Sequence, residues 1–233
     1  MCVAGILPAI RGQDARATSR VTSECRTIHA SVAVLTDPQS PVIITAMTGK
    51  QFYDWQTRGG TDDVMRLVDC LERADVAWCI IGGVAVNHWA EQPMVTQDVD
   101  FVVAVEAIER TVSLLEEAGF RSERFEWSVN FKGHSAISIQ LSTEDFYRDF
   151  PSRAVPADVH GILMRVASLE DTLRGKIKAW SEPQRRQSKR IKDLADIARL
   201  VEAHPHLWDL LPDDLRRQLQ PPERALPGAS GVG

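Results

Sequence analysis

The sequence has few cysteines, and their spacing excludes two kinds of small stabilised domain. There are four cysteines in 233 residues, and none of them forms a Cys-x-x-Cys pair. Structural zinc and a disulfide framework are therefore not expected. Cys70 and Cys79 lie within apolar patterns and are predicted to be small core residues.

Long apolar runs are also absent. The longest, residues 77–86, is interrupted by Gly82-Gly83 and is too short to cross a bilayer. The apolar stretch at residues 2–10 has no basic residue before it and no export pattern. We therefore expect a cytoplasmic protein without a membrane partner.

Basic residues are not in excess. The chain has 27 Lys and Arg against 32 Asp and Glu, which gives a formal net charge of -5. A protein that coats duplex nucleic acid is therefore not expected, although a local basic patch is compatible with this balance. The 44% hydrophobic and 25% charged content is ordinary for a globular protein and excludes collagen, coiled coil and wholesale disorder.

The composition divides the chain into four segments. Residues 1–46 show no sustained hydrophobic period and are predicted to form a poorly ordered N-terminal extension. Residues 47–166 are predicted to form the folded core. Residues 167–210 are predicted to form C-terminal helices that complete the functional site of this core. Residues 211–233 are rich in Pro, Gly and Gln and are predicted to be a flexible tail.

Apolar spacing predicts helices that alternate with strands. Helices are predicted at 62–74, 84–90, 106–118, after Ser168 and at 188–203, and strands at 77–81, 98–105, 125–131, 136–141 and 162–166. In the strand at 125–131, alternation places Phe125, Trp127, Val129 and Phe131 on one face. The last helix is predicted to turn Ile191 and Leu194 inward and Asp193 and Asp196 to the opposite side. This order predicts an α+β fold: a mixed β-sheet with flanking helices and a C-terminal helical pair.

Two short motifs carry most of the functional information. Gly82-Gly83 ends an apolar strand at a helix start, where backbone N–H groups without side chains are open to a phosphate. Asp98 and Asp100 are two residues apart on the next strand, so both carboxylates face the same side. Adjacent carboxylates repel each other unless a cation lies between them. The pair is therefore predicted to bind Mg²⁺, in an arrangement suited to in-line transfer from a nucleoside triphosphate.

Ordinary structural roles stay open for the same residues. Gly82-Gly83 could be a plain tight turn, and Asp98 and Asp100 could mark a solvent-facing strand start. Thr96 precedes the two acids, where it could contact a ribose or a phosphate or belong to a connecting loop.

The hydrophobic-Gly-Gly, spacer, Asp-hydrophobic-Asp-hydrophobic pattern resembles the nucleotidyltransferase superfamily. The resemblance is closest to its minimal bacterial members, the abortive-infection (type IV) toxin nucleotidyltransferases and the aminoglycoside nucleotidyltransferases. Downstream, VASLED at 166–171 followed by Gly175-Lys176 is similar to their helix with a functional lysine, and KRIKDLADI at 189–197 is similar to their closing helix. The resemblance covers about residues 50–205.

This resemblance implies a nucleotidyltransferase-like fold and a set of site residues. It implies metal binding and catalysis by Asp98 and Asp100, and phosphate binding by Gly82 and Gly83. It also implies a catalytic, triphosphate-binding role for Lys176 and a supporting catalytic role for Asp193. The cofactor would be Mg²⁺, with a nucleoside triphosphate as substrate.

The implied activity is transfer of a nucleoside monophosphate to a hydroxyl acceptor. The acceptor could be tRNA, a protein or a small molecule, and the resemblance implies toxin–antitoxin or defence biology with a cognate antitoxin. One basic run could guide an anionic acceptor such as tRNA or be an ordinary solvated surface. It consists of Arg185, Arg186, Lys189, Arg190 and Lys192.

A departure from the superfamily pattern supports a second hypothesis. A third carboxylate usually stands on a neighbouring strand, but the matching strand at 136–141 offers Ser138 and Gln140 instead. Glu126, Glu144 or Asp145 could substitute for it. The alternative function is therefore a catalytically weak nucleotidyltransferase-like protein that binds a nucleotide or a partner as a regulatory module.

Overall fold

The computed structural model describes residues 50–51, 54, 58–90, 94 and 96–219. All of them belong to the second of the chain's two units, Met47–Gly233. The predicted N-terminal extension at residues 1–46 lies outside the described residues. Within the described part, no helix is both long and apolar enough to cross a membrane.

Thirteen regular helices and strands follow one another along the described chain. The helices are α1 (Gly60–Arg73), α2 (Gly82–Trp89), α3 (Ile108–Glu117), α4 (Leu169–Ser181), α5 (Gln187–Ala203) and α6 (Asp213–Gln218). The strands are β1 (Trp78–Ile81), β2 (Asp98–Val103), β3 (Arg121–Arg124), β4 (Ser128–Lys132), β5 (Ser138–Ser142), β6 (Val155–Val159) and β7 (Ile162–Val166). The predicted α+β fold, with a mixed sheet, flanking helices and a C-terminal helical pair, is confirmed.

The seven strands form one mixed sheet in the order β3-β4-β5-β2-β1-β7-β6. β1 is antiparallel to β2, and β2 is parallel to β5. This register places Asp100 opposite Ile81 on one side and Gln140 on the other. The end of β1, where the two glycines follow, therefore lies directly beside the acidic pair on β2.

The two larger of three apolar clusters stabilise the sheet and the C-terminal helices. The larger one packs α1 and α3 against one face of the sheet, with Leu67, Phe101, Leu115 and Phe131 almost completely buried. The smaller one joins α2, α4, α5 and α6. Because the C-terminal helices pack on α2, their side chains are held beside the Gly82-Gly83 turn.

The strand predicted at 125–131 is shorter than expected, and two of its aromatic residues are exposed. β4 begins at Ser128, and Phe125 and Trp127 are 51% and 60% exposed. Residues 125–127 connect β3 to β4 in a turn closed by a hydrogen bond from the Phe125 N–H to the Ser128 carbonyl. The two aromatic side chains therefore do not share the buried face of Val129 and Phe131, and the predicted alternation is wrong there.

Two strands were not predicted from the sequence. β3 reads RSER and has no apolar alternation, while β6 contains Pro156, which cannot donate a ladder hydrogen bond. Both lie at the edges of the sheet, where a strand forms backbone hydrogen bonds with only one neighbouring strand. The pattern rules for buried strands do not detect such strands.

A helix lies within the segment predicted to be a flexible tail. α6 occupies Asp213–Gln218, and Leu215 is completely buried in the smaller apolar cluster. The rest of that tail, from residue 220, lies outside the described residues.

We expect Leu215→Ala to lower the free energy of unfolding by about 2–3 kcal/mol, because it leaves a cavity in this cluster. Chemical denaturation of the full chain measures the change. Leu210→Ala is the matched control, since Leu210 is mostly exposed, and it is expected to cost less than about 0.5 kcal/mol. Equal effects of the two substitutions would contradict the packing of α6.

Candidate active site

A cavity of about 340 Å³ opens between the polar face of the sheet and the C-terminal helices. Asp98 and Asp100 from β2, Gln140 and Ser142 from β5, and Gly82 from α2 contribute to its lining. α4 contributes Lys176 and α5 contributes Lys189 and Asp193. The structure thus brings together residues that are far apart in the sequence and were predicted to share a site.

Gly82 touches the metal-binding candidate Asp100. The φ angle of Gly82 is 67°, a left-handed conformation that a residue with a Cβ atom rarely adopts. A Cβ atom at this position would overlap the Asp100 carboxylate at its Oδ2 atom. A glycine is therefore required at this position both for the turn and for the close approach of Asp100.

We expect Gly82→Ala to displace the Asp100 side chain and to lower the free energy of unfolding by about 2 kcal/mol, since the strained backbone alone costs about 1–2 kcal/mol. Gly83→Ala is the matched control. A Cβ atom there would lie 3.3 Å from the Thr96 Oγ1, a tight contact without a positive φ, so we expect the smaller loss. Thermal unfolding of both variants measures the difference, and a larger loss for Gly83→Ala would contradict this geometry.

Thr96 and Gly83 lie behind the cavity lining. Thr96 is buried, and its hydroxyl donates to the Asp98 carbonyl at 3.2 Å and accepts from the Asp98 N–H at 3.4 Å. Neither Thr96 nor Gly83 contributes to the lining of the cavity. In this arrangement Thr96 fixes the backbone of Asp98.

The two aspartates form an electrostatically unfavourable pair. Burial raises the pKa of Asp100 above its ordinary value, and the neighbouring Asp98 raises it further, although three lysines oppose this effect. Such a pair is stabilised by a cation that replaces the lost hydration.

The donor set of this pair fits a magnesium ion. The described residues contain no cluster of three or more His, Cys, Asp and Glu side chains suited to a metal. However, Mg²⁺ is usually held by one or two carboxylates together with substrate phosphates and water. Asp98 and Asp100 supply two carboxylates in the cavity that Gly82 also lines, so the residues present fit this ion.

Lys176 lies at the centre of a buried network of charges. Its Nζ atom is 2.7 Å from Asp196 Oδ2 and 3.3 Å from Asp193 Oδ1, and its side chain is 9% exposed. Arg185 Nη2 contacts Asp193 Oδ2 at 2.8 Å, and Arg199 Nη1 contacts Asp196 Oδ1 at 3.0 Å. The network joins α4 to α5.

The buried face of α5 differs from the prediction. Ile191 was predicted to face inward but is 60% exposed, and that prediction is wrong. Asp193 and Asp196 are buried instead, because they pair with Lys176. A helix can bury two acids in place of an apolar residue when the opposing helix supplies a cation for them.

Two partners in this network, Arg199 and Asn87, were not predicted from the sequence. Arg199 Nη2 donates to the Asn87 Oδ1 at 2.9 Å, which connects α5 to α2 one turn beyond the glycine pair. The spacing of Asp196 and Arg199, three residues apart on a helix, is the signal that could have suggested the ion pair. Nothing local in the sequence indicates the contact with Asn87.

Of the acids considered as a third carboxylate, Glu144 lines the cavity. Glu126 is exposed and Asp145 pairs with Arg148, and neither contributes to the lining. Glu144 forms an ion pair with Lys178 on α4. Gln140, opposite Asp100, also lines the cavity.

The predicted basic run is divided by the structure. Arg185 and Lys189 line the cavity, whereas Arg186, Arg190 and Lys192 do not. Arg190 instead donates to the Glu182 carbonyl at 2.7 Å. The run is therefore not a single uniform binding surface.

Solved structures of nucleotidyltransferases resemble the chain at low sequence identity. The antibiotic-resistance factor ANT(2'')-Ia in complex with adenylyl-2''-tobramycin is 15% identical with a TM-score of 0.48, over 66% of this chain and 95% of that chain. The lincomycin-bound lincosamide antibiotic adenylyltransferase LnuA is 13% identical with a TM-score of 0.42, over 58% and 94%. An antigenic nucleotidyltransferase-like protein from Paracoccidioides brasiliensis is 23% identical with a TM-score of 0.44, over 60% and 74%.

A family model gives the more specific comparison. No curated protein matches the chain significantly. The model described as nucleotidyl transferase AbiEii toxin, Type IV TA system, matches residues 83–224. This range includes Asp98, Asp100, Lys176 and Asp193 and spans more than half of the sequence. The chain therefore belongs to the AbiEii nucleotidyl transferase toxin family of type IV toxin–antitoxin systems, as the resemblance predicted.

Proposed function

We propose that this nucleotidyltransferase moves a nucleoside monophosphate from a nucleoside triphosphate to a hydroxyl group, with Mg²⁺, in the cytoplasm. The observation that carries the proposal is the contact of Gly82 with Asp100 in one cavity. A phosphate held at the open backbone of the turn would lie beside the carboxylate pair, as metal-assisted phosphoryl transfer requires.

Different residues of this chain bind the triphosphate and the metal ion in this proposal. Gly82, which lines the cavity, supplies its backbone N–H group for the triphosphate, whereas Gly83 lies behind the lining; Asp98 and Asp100 hold the ion. The magnesium ion, when bound, neutralises phosphate charge and orients the triphosphate for in-line displacement. Lys176 and Asp193 fix α4 against α5 and so keep the wall of the cavity opposite the sheet in place.

The proposed reaction breaks one P–O bond, forms another and moves one proton from the acceptor hydroxyl. The oxygen of the acceptor hydroxyl attacks the α-phosphorus, the bond to the β-phosphate oxygen breaks, and pyrophosphate leaves. Glu144 is the carboxylate best placed to accept the hydroxyl proton. Glu144 pairs with Lys178, but its side chain is 31% exposed. Asp171, which pairs with Arg153, and Asp193, which pairs with Lys176 and Arg185, are each only 2% exposed.

A second candidate function is nucleotide binding with little transfer. Gln140 occupies the position opposite Asp100, where an acid would complete a triad of carboxylates on adjacent strands. This favours a regulatory module that binds a nucleotide or a partner. Glu144 in the same cavity favours transfer, and for this reason we rank transfer first.

Family membership supports a toxin role and a cognate antitoxin as partner. The acceptor is tRNA, a protein or a small molecule. The cation Lys189 at the cavity lining and the exposed Arg186 beside it are compatible with an anionic acceptor such as tRNA. A small acceptor is also compatible with a cavity of about 340 Å³.

Label transfer tests the proposal and identifies the acceptor. The full chain is incubated with each α-labelled nucleoside triphosphate and Mg²⁺, together with total tRNA, a nucleic-acid-free protein extract or a small-molecule filtrate. We expect label from one nucleotide to enter one of these fractions and to be lost when EDTA removes the metal.

The outcomes separate the two candidates. Nucleotide binding without label in any fraction would contradict transfer and support the regulatory module. If Mg²⁺ and every nucleotide leave the melting temperature unchanged and no label is transferred, both candidates are wrong.

A further inference from the structure

Three cationic side chains line the cavity among the residues that the structure describes: Lys176, Arg185 and Lys189. Two of them are already paired at hydrogen-bond distance. Arg185 directs its Nε and Nη2 atoms at Asp193 Oδ2, at 2.9 and 2.8 Å. Lys176 lies between Asp196 and Asp193, and its side chain is 9% exposed. Neither side chain can follow a ligand without giving up its ion pairs with buried carboxylates.

Lys189 differs from both in its contacts and its exposure. Its Nζ atom is 3.9 Å from Asp98 Oδ2, which is beyond hydrogen-bond distance, and its side chain is 46% exposed. Lys176, Lys189 and Lys192 all oppose the rise in the pKa of Asp100, but of the three only Lys189 is both exposed and part of the cavity lining. It is thus a flexible cation beside the metal-binding pair whose charge is not committed to a buried partner.

We propose that Lys189, rather than Lys176, contacts the phosphates of the nucleoside triphosphate and of the leaving pyrophosphate. This inference rests on the proposed function. Lys176 then acts as a positioning residue that holds α4 and α5 together through Asp193 and Asp196. A lysine on a flexible stem suits this contact because it can follow the pyrophosphate as the bond to the α-phosphorus breaks.

Inhibition by inorganic pyrophosphate tests the assignment with the full chain and Mg²⁺. In Lys189→Met, we expect the inhibition constant of pyrophosphate and the KM for the nucleoside triphosphate to rise roughly 10- to 100-fold. A change of this size corresponds to the loss of one charge-assisted hydrogen bond. The melting temperature is expected to stay within about 1 °C of the wild type, because an exposed side chain is removed. Lys189→Arg keeps the charge and is expected to recover most of the affinity.

Lys192→Met is the matched control on the same helix. It removes the same charge three residues further on, outside the cavity lining, and is expected to change the inhibition constant by less than about twofold. Lys176→Met, measured at a temperature where it is folded, is expected to raise this constant less than Lys189→Met does.

The outcomes that would contradict the assignment of Lys189 differ from those that would contradict the proposed function. An unchanged inhibition constant in Lys189→Met, or an equal loss in Lys192→Met, would overturn the assignment of Lys189 and leave the proposed function intact. A larger loss of pyrophosphate affinity in Lys176→Met than in Lys189→Met would assign the phosphate contact to Lys176. A wild-type protein that binds neither pyrophosphate nor any nucleotide with Mg²⁺ would overturn the proposed function and this inference together.

Discussion

Asp98→Asn and Asp100→Asn are each expected to lower the rate of nucleotidyl transfer by about 10³-fold or more. Each substitution removes one of two carboxylates that would hold the ion, and several kcal/mol of transition-state stabilisation depend on that ion. The rate is measured by label transfer under the conditions that give full wild-type activity. Asp69→Asn is the matched control, because Asp69 is an exposed acid on α1 that pairs with Arg73, and it is expected to keep the wild-type rate.

Asp100→Asn is also expected to stabilise the metal-free protein. Burial and the neighbouring Asp98 raise the pKa of Asp100, so its ionised form is disfavoured in the folded state at neutral pH. Removing that charge should raise the free energy of unfolding by about 1 kcal/mol, while activity is lost. A variant that is destabilised without metal, or that retains transfer, would contradict the metal-binding role.

Lys176→Met is expected to lower the free energy of unfolding by about 3 kcal/mol. The substitution leaves Asp193 and Asp196 buried without the cation between them, and breaking a buried pair costs about 3–5 kcal/mol. The lower value is expected because Arg185 and Arg199 still contact the two carboxylates. Chemical denaturation of the full chain without nucleotide measures this loss.

A second substitution separates the network from packing. Asp196→Asn in the Lys176→Met background removes one uncompensated charge and is expected to restore part of the stability. Lys178→Met is the control on the same helix. Lys178 forms a partly exposed pair with Glu144, and its loss should cost less than about 1 kcal/mol. Equal costs for Lys176→Met and Lys178→Met would show that the buried network does not hold α4 against α5.

The acidic pair and the glycine turn were predictable because their signals are local. Strand alternation places Asp98 and Asp100 on one side, and a strand that ends in two glycines indicates open backbone at a turn. The structure adds that Gly82 and Asp100 touch, through the register that sets Ile81 opposite Asp100. That register depends on strand pairing, which a single sequence does not specify.

The charge network was harder to predict because a helix face is chosen by its partner. From hydrophobicity alone, Ile191 is expected on the buried face of α5 and Asp193 on its exposed face. The opposite arrangement is stable because Lys176 on α4 neutralises two acids at once, and this contact is visible only after the helices are packed. The same limit applies to the edge strands β3 and β6, whose residues have no buried alternation to recognise.

Anomalous diffraction from manganese would show directly whether Asp98 and Asp100 hold the metal. The full chain is crystallised with Mn²⁺ in place of Mg²⁺ and a non-hydrolysable analogue of the nucleotide that supports transfer. We expect an anomalous peak at coordination distance, about 2.1 Å, from carboxylate oxygens of both Asp98 and Asp100, with phosphate at the backbone of Gly82. A metal–nucleotide complex bound at another face of the protein, with these carboxylates free, would contradict it.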